Sequence, residues 1–241
     1  GGKSALVDVV IGLLEPTDGE IRVDGVALTA DNRRAWQRNI AHVPQAIFLS
    51  DASIAENGAL HIGAAATQAS LEWRAQLKDE APLVHQAFPH ISHFQIRNRG
   101  TVCGSIAHAD PSAELPLCLL ALGGEISLRS RNRSRVVAAK EFFLGTFLTA
   151  REPDELIESV SFPLRKPNQQ FAFDEFSMRH GDYAIVAVAA VADEKGVVLT
   201  VGGVEYRPVS QYWRGVSGSD IDSLLNDFSL SLDAQDDQHA S

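Results

Sequence analysis

Three strand-like stretches stand almost end to end between Phe171 and Gly202, and no all-helical fold can absorb them. Phe171 to Ser177 alternates aromatic with polar residues, the period of two expected of a half-buried strand. Tyr183 to Ala192 and Val197 to Gly202 are apolar runs separated by Asp193-Glu194-Lys195-Gly196, a polar, glycine-closed break that reads as a hairpin turn. Upstream the texture is mixed. Leu60-His61-Ile62-Gly63 reads as a strand, with helices expected over Thr67 to Lys78, Pro82 to Phe88 and Ala113 to Leu122. Asn98 to Ser105 reads as a glycine-bearing loop, Glu125 to Arg129 and Arg135 to Val137 as strands, and Asp154 to Pro163 as a turn and strand. The order implies an α+β fold: a mixed sheet at the centre, a polar linker at Lys166 to Gln170, then a smaller sheet-and-helix subdomain.

The first 58 residues differ from this. An apolar helix over Ser4 to Leu14 leads to the turn Pro16-Thr17-Asp18-Gly19. A short strand, Ile21 to Val26, carries an Asp-Gly turn; a polar helix over Asp31 to Arg38 and a strand over Ile40 to Val43 follow. A length of 241 residues holds one large or two small domains. A net charge of −10 argues against nucleic-acid binding, which requires basic patches against phosphates. Six Asp and no Lys or Arg fall in Gly215 to Ser241, a solvated acidic end. No apolar run reaches the ~18 residues of a membrane span. No signal peptide is evident. Cys103 and Cys118 have no CxxC or Cys/His neighbours, so they read as reduced core thiols in a cytoplasmic setting, with no metal site.

Gly2-Lys3-Ser4 matches the end of a P-loop, whose N–H groups and lysine hold phosphates while the hydroxyl binds Mg²⁺. The stretches GLLEPTDGEIRVDG and IAHVPQAIFLSDASIAEN resemble the ATPase domain of ABC exporters. That resemblance makes Gln45 a Q-loop glutamine beside Mg²⁺ and implies an ATP site at Gly2, Lys3, Ser4 and Gln45. The first P-loop glycine, the LSGGQ-type signature and a switch histidine are missing. Asp193-Glu194 after Val186 to Val191 imitates a Walker B, but before Lys195-Gly196 and a second strand it reads as a hairpin turn. ATP hydrolysis is therefore not expected.

From about Leu60 onward, LHIGA (60–64), QIRNRGTVCGSIAHADPSAELP (95–116) and FSMRHGDYAIVAVAA (176–190) resemble the FAD-binding medium subunit of molybdenum hydroxylases of the carbon monoxide and xanthine dehydrogenase type. The resemblance implies a phosphate-binding loop at Thr101-Val102-Cys103-Gly104-Ser105, with Cys103 in place of the family's first glycine. A compact loop with free N–H groups solvates a pyrophosphate without full counter-charge, and small residues let the backbone approach. A side chain at Cys103 can crowd that approach, but cysteine is small and is not expected to abolish the loop. The resemblance places Asp110 and Glu114 at the ribose and adenine end of FAD, although Asp110 before Pro111 equally suits a helix N-cap. It places His108 near the flavin loop, Leu156 in a strand packing on the adenine end, and Arg179, Gly181 and Asp182 on the flavin side or at the subdomain interface. No catalytic acid, base or nucleophile is expected, because a flavin carries the redox chemistry itself.

The implied function is electron transfer from iron–sulfur clusters through FAD to an acceptor. The implied partners are a molybdenum-cofactor large subunit and an iron–sulfur small subunit. The expected organisation is an ABC-type ATP-binding fragment at 1–58, an FAD-binding subdomain at 59–165 and a truncated C-terminal flavoprotein subdomain at 166–241. On that reading the chain is chimeric and begins mid-gene. It lacks the family's N-terminal A-G-G-x-S phosphate loop and stops at Asp236–Ser241, where the family continues through another helix. That leaves FAD retention open. The alternatives are a non-hydrolysing ATP-binding transporter module and a non-functional chimera that folds only from about residue 60.

Overall fold

A computed structural model describes residues 9, 10, 16, 18–37 and 51–234 of the chain. The chain divides into two compact units, residues 1–48 and 49–241. In the first, β1 (Arg22–Val23) and β2 (Val26–Ala27) pair antiparallel about Asp24-Gly25, and α1 spans Arg33–Gln37. Gly2, Lys3, Ser4, Gln45 and the expected strand Ile40 to Val43 lie outside the described residues, as does all but the middle of the expected helix Ser4 to Leu14.

The second unit opens with a hairpin of β3 (Ser53–Glu56) and β4 (Ala59–Gly63). Its turn is Asn57-Gly58, both at positive φ (51° and 79°), as a two-residue hairpin turn matching the strand twist requires. The family-like part was expected to begin between Glu56 and Leu60, but that junction does not coincide with a structural boundary. β3 is hydrogen-bonded to β4 across it.

Five short helices follow: α2 (Gln68–Glu72), α3 (Leu77–Glu80), α4 (Pro82–Ala87), α5 (Phe94–Arg97) and α6 (Val102–His108). The single helix expected over Thr67 to Lys78 is broken between α2 and α3. Leu71 and Leu77 are both fully buried, yet on a continuous helix they would point about 120° apart. The break brings both onto one core. Arg74, in the connection, is fixed by two hydrogen bonds to Glu80 (2.6 and 3.0 Å) and one to the Ser53 carbonyl (3.0 Å).

α7 (Glu114–Leu122) then runs into β5 (Glu125–Arg129) and β6 (Ser134–Ala138). Next come α8 (Ala139–Phe142), the small hairpin β7 (Phe143–Gly145) and β8 (Leu148–Thr149), and the long strand β9 (Leu156–Pro163). The first large sheet has the order β3-β4-β9-β5-β6. Its pairings are all antiparallel, which corrects the expected mixed sheet. The second sheet is a meander of β10 (Gln170–Ser177), β11 (Ala184–Asp193), β12 (Gly196–Gly202) and β13 (Val209–Arg214), with α9 (Ile221–Ser231) after it. The Asp193–Gly196 turn is a hairpin, as expected; Asp193 Oδ1 accepts from the N–H groups of Lys195 (2.8 Å) and Gly196 (3.2 Å).

α7 joins the two sheets. Leu115, Pro116, Leu117, Cys118, Leu119 and Ala121 are buried on it, and a helix apolar on all sides must be enclosed. It packs against β9 on one side and β11 and β12 on the other. The Lys166–Gln170 linker therefore connects two sheets of one core rather than two independent bodies. Both cysteines are buried and free, as expected of core thiols. Among the described residues no helix is long and apolar enough to cross a membrane, and no group of His, Cys, Asp and Glu is placed to hold a metal.

Candidate functional site

Thr101 to Ser105 was expected within a compact glycine-bearing loop; it is instead the start of a helix. Thr101 is in extended conformation (φ −91°, ψ 155°) and caps α6, its Oγ1 accepting from the Gly104 N–H at 2.9 Å. The Val102 N–H donates to the Ala66 carbonyl (3.1 Å) and the Ser105 N–H to the Thr101 carbonyl (3.2 Å). Three of the N–H groups expected to meet a phosphate are thus already satisfied within the protein. Gly104 has a local reason to be glycine: an added Cβ would lie 2.7 Å from Thr101 Oγ1, inside contact distance of the capping oxygen.

The expected crowding by Cys103 does not occur. Val102 and Cys103 turn into the core, 0% and 4% exposed, and the Cys103 thiol points to the Ile62 carbonyl at 3.6 Å. Burial pushes that thiol up to about 12.

The opposite face of α6 borders a cavity of about 480 Å³. It collects Thr101, Gly104, Ser105, Asp110, Glu114 and Asp182, six of the residues singled out in the sequence, together with His108 and Gly181. Leu156 is not among its lining residues. It stands at the first position of β9, 57% exposed and paired with Arg129.

The walls come from three separate places in the chain. Ile91, Ser92 and Ile96 form one. Arg97 secures it, bound to Glu72 through two hydrogen bonds (2.8 and 2.9 Å) and to the carbonyls of Ile91 (2.7 Å) and Ser92 (3.0 Å). The second wall is α6 and the turn into α7. Asp110 does not cap α7; Ala113 holds the cap position, and Asp110 Oδ1 accepts from the Ser112 N–H at 2.9 Å, closing an Asx turn. His108 lies ring to ring with Phe147 at 4.7 Å. The third wall is the β10–β11 connection, where the Asp182 N–H donates to the Arg179 carbonyl (3.0 Å). Gly181 between them sits at φ +86°, and a Cβ there would be 3.0 Å from the His93 ring.

The lining contains carboxylates at Asp110, Glu114 and Asp182 but no lysine or arginine. Glu114, 9% exposed, is pushed up to about 7, first by burial and then by the neighbouring charges of Glu175 and Asp110, against its own backbone N–H and Arg97. Burial likewise raises Glu175 on β10 to about 7. Some lining residues carried no signal in the sequence reading, Gln68 among them. Gln68, the first residue of α2, is 8% exposed, and its side-chain oxygen is buried without a hydrogen-bond partner.

A capped helix start, an Asx turn and a glycine-hinged strand connection thus border one cavity in an α+β fold. Residues 39–165 match the family described as the FAD binding domain in molybdopterin dehydrogenase, and the chain belongs to that family. The match begins well inside the first 58 residues and runs across the expected junction. The chain is 42% identical over 137 residues to the alpha subunit of the 6-hydroxypseudooxynicotine dehydrogenase complex of Paenarthrobacter nicotinovorans, covering 56% of this chain and 46% of that protein. It is 32% identical over 142 residues to the carbon monoxide dehydrogenase medium chain of Afipia carboxidovorans, covering 59% and 47%. The structure of quinoline 2-oxidoreductase from Pseudomonas putida 86 superposes with a TM-score of 0.72 at 25% identity, covering 100% of this chain and 80% of that one. The chain spans about half the length of the curated relatives it matches.

Proposed function

We propose that the chain is the FAD-binding, electron-transferring component of a molybdenum-hydroxylase-type oxidoreductase. On this reading FAD occupies the cavity between α6, the turn into α7 and the β10–β11 connection. It takes electrons from iron–sulfur clusters on a small subunit, which are fed by a molybdenum-cofactor large subunit, and passes them to an acceptor. The observation that carries the proposal is the convergence of Thr101, Gly104, Ser105, Asp110, Glu114 and Asp182 on one cavity in a chain of this family. Two buried free thiols fit the reducing conditions of a cytoplasmic setting.

The chemistry of the lining fits a dinucleotide read mainly through its hydroxyl groups. Carboxylates and amides accept hydrogen bonds from ribose and ribityl hydroxyls. A cavity without lysine or arginine leaves the pyrophosphate to the Thr101 and Ser105 hydroxyls and to solvent. With its pKa pushed up to about 7, Glu114 is only partly ionised at neutral pH, which limits its repulsion of the phosphates. The bound flavin supplies hydride and single-electron chemistry; the protein binds it, orients it and sets the charge around it. Gly2, Lys3, Ser4 and Gln45 lie outside the described residues, and the ATP-binding and chimera readings gain no support from the cavity or the family match.

The test is a titration of the purified chain with FAD, following flavin fluorescence and the thermal midpoint together. Saturable binding at one flavin per chain, with a rise in midpoint, is the expected result. Colourless protein whose midpoint is indifferent to FAD refutes the reading.

A further inference from the structure

Buried amide groups are almost always hydrogen-bonded, and one that is not calls for a missing partner. Gln68 is such a group. Its backbone is held firmly: the N–H donates to the Gly100 carbonyl at 2.8 Å, and Thr67 and Thr101 form an isolated antiparallel bridge beside it. Val102 N–H, donating to the Ala66 carbonyl, ties the same two segments together. The start of α2 is therefore pinned to the start of α6, and the Gln68 side chain lies along Gly100 on the cavity wall. A Cβ at Gly100 would meet Gln68 Cδ and Oε1 at 3.5 Å, so the carboxamide already occupies the space over that glycine. Only 8% of the residue is exposed, and Oε1 has neither water access nor a protein donor.

An acceptor oxygen in this position is matched by a donor on the ligand. Phosphate oxygens only accept hydrogen bonds at neutral pH. Sugar and ribityl hydroxyls donate as well as accept, and they satisfy the carboxamide in either orientation of its oxygen and nitrogen. We infer that Gln68 is a cofactor-binding residue whose carboxamide, turning from Gly100 into the cavity it lines, hydrogen-bonds a hydroxyl of the bound dinucleotide beside Thr101. This deepens the FAD reading above and rests on it.

Gln68→Met keeps the length of the side chain and removes its hydrogen bond. FAD affinity is measured by fluorescence titration, and the thermal midpoint of the cofactor-free protein is recorded separately. The expected result is FAD binding weakened about tenfold, the value of one hydrogen bond left unmade in a buried site. The cofactor-free midpoint stays equal to that of the wild type or rises, because the substitution removes a buried oxygen that has no partner there. The fold loss stays constant from low salt to ~0.5 M salt, since a hydroxyl contact is not screened. Repeating the titration with FMN and with ADP assigns the hydroxyl to the ribityl chain or the ribose, according to which ligand shows the loss. Equal FAD affinity in the variant and wild type overturns the inference, and so does a lower cofactor-free midpoint, which marks a purely structural glutamine. A loss that shrinks with salt overturns the hydroxyl assignment. If wild-type protein binds no FAD at all, it is the underlying function reading that fails.

Discussion

Glu114→Gln isolates one electrostatic quantity in the cavity, the free energy of charging a carboxyl group that the fold has removed from water. Glu114 is the first residue of α7, where a carboxylate ordinarily gains about 0.3–1 kcal/mol from the helix dipole. Burial outweighs that gain and lifts the group from its ordinary 4.5 to about 7, with Glu175 and Asp110 adding to the rise. At about 1.4 kcal/mol per pH unit, a difference of this size amounts to about 3 kcal/mol. The sign follows from proton binding. Below pH 4.5 the carboxyl is protonated in both folded and unfolded chains, and its contribution is intact. As pH rises towards 7 the unfolded chain has released the proton while the folded chain still holds it, so stability falls. Above about 7 the loss is complete. Glutamine keeps the shape and cannot ionise. Urea denaturation of both proteins without cofactor, at steps from pH 4 to 8, should show the variant gaining about 3 kcal/mol relative to wild type across the range. Groups distant from residue 114 titrate alike in both proteins and cancel. A stability difference that stays flat from pH 4 to 8 would show that Glu114 is hydrated or paired, and the account of a protonated carboxyl in the cavity would fall with it.

Gly104→Ala places a methyl group 2.7 Å from Thr101 Oγ1; loss of that cap should cost about 1 kcal/mol, read as a lower thermal midpoint, and an unchanged midpoint contradicts the packing described. Cys103 and Cys118 are 4% and 0% exposed, and burial raises both thiols. Neither should react with a thiol reagent at pH 8 until denaturant is added, and rapid labelling of native protein would place one of them at the surface. Glu155 is held well below the usual carboxylate range by hydrogen bonds from Arg135 and then from the Glu152 N–H. Its contribution is present above pH 4.5 and fades as pH falls further, so Glu155→Gln should lower the midpoint more at pH 7 than at pH 3. Equal effects at both pH values would remove the charge from the explanation.

Three strands of the second sheet were legible because they are long and alternate or run apolar, two of them meeting at the polar Asp193–Gly196 turn; β13, with exposed polar residues, was not expected. α7 was legible for the same reason of length. The first sheet was less so. Asn57-Gly58 is a strong hairpin signal, but it fell at the expected change of ancestry, and β3 before it holds only Ser53–Glu56. The break between α2 and α3 has no proline or glycine to announce it; the buried positions of Leu71 and Leu77 impose it through tertiary packing. In the site, Thr101 to Ser105 was recognisable as a motif, while its use of N–H groups was not. Thr101 three residues before Gly104 is an N-cap spacing, and that signal was available. Gln68 and the Glu114–Glu175 proximity depend on which distant segments meet, and no local pattern encodes that.

The three walls of the cavity come from two stretches far apart along the chain, residues 91–114 and 181–183. A molecule that touches all three acts on the polymer as a removable cross-link, closing a long loop that runs through β5, β6 and β9. Occupancy would then be felt beyond the contacts themselves. Amide exchange in the β10–β11 connection and around Ile91 and Ser92 should slow together when the ligand binds, and speed together when it leaves.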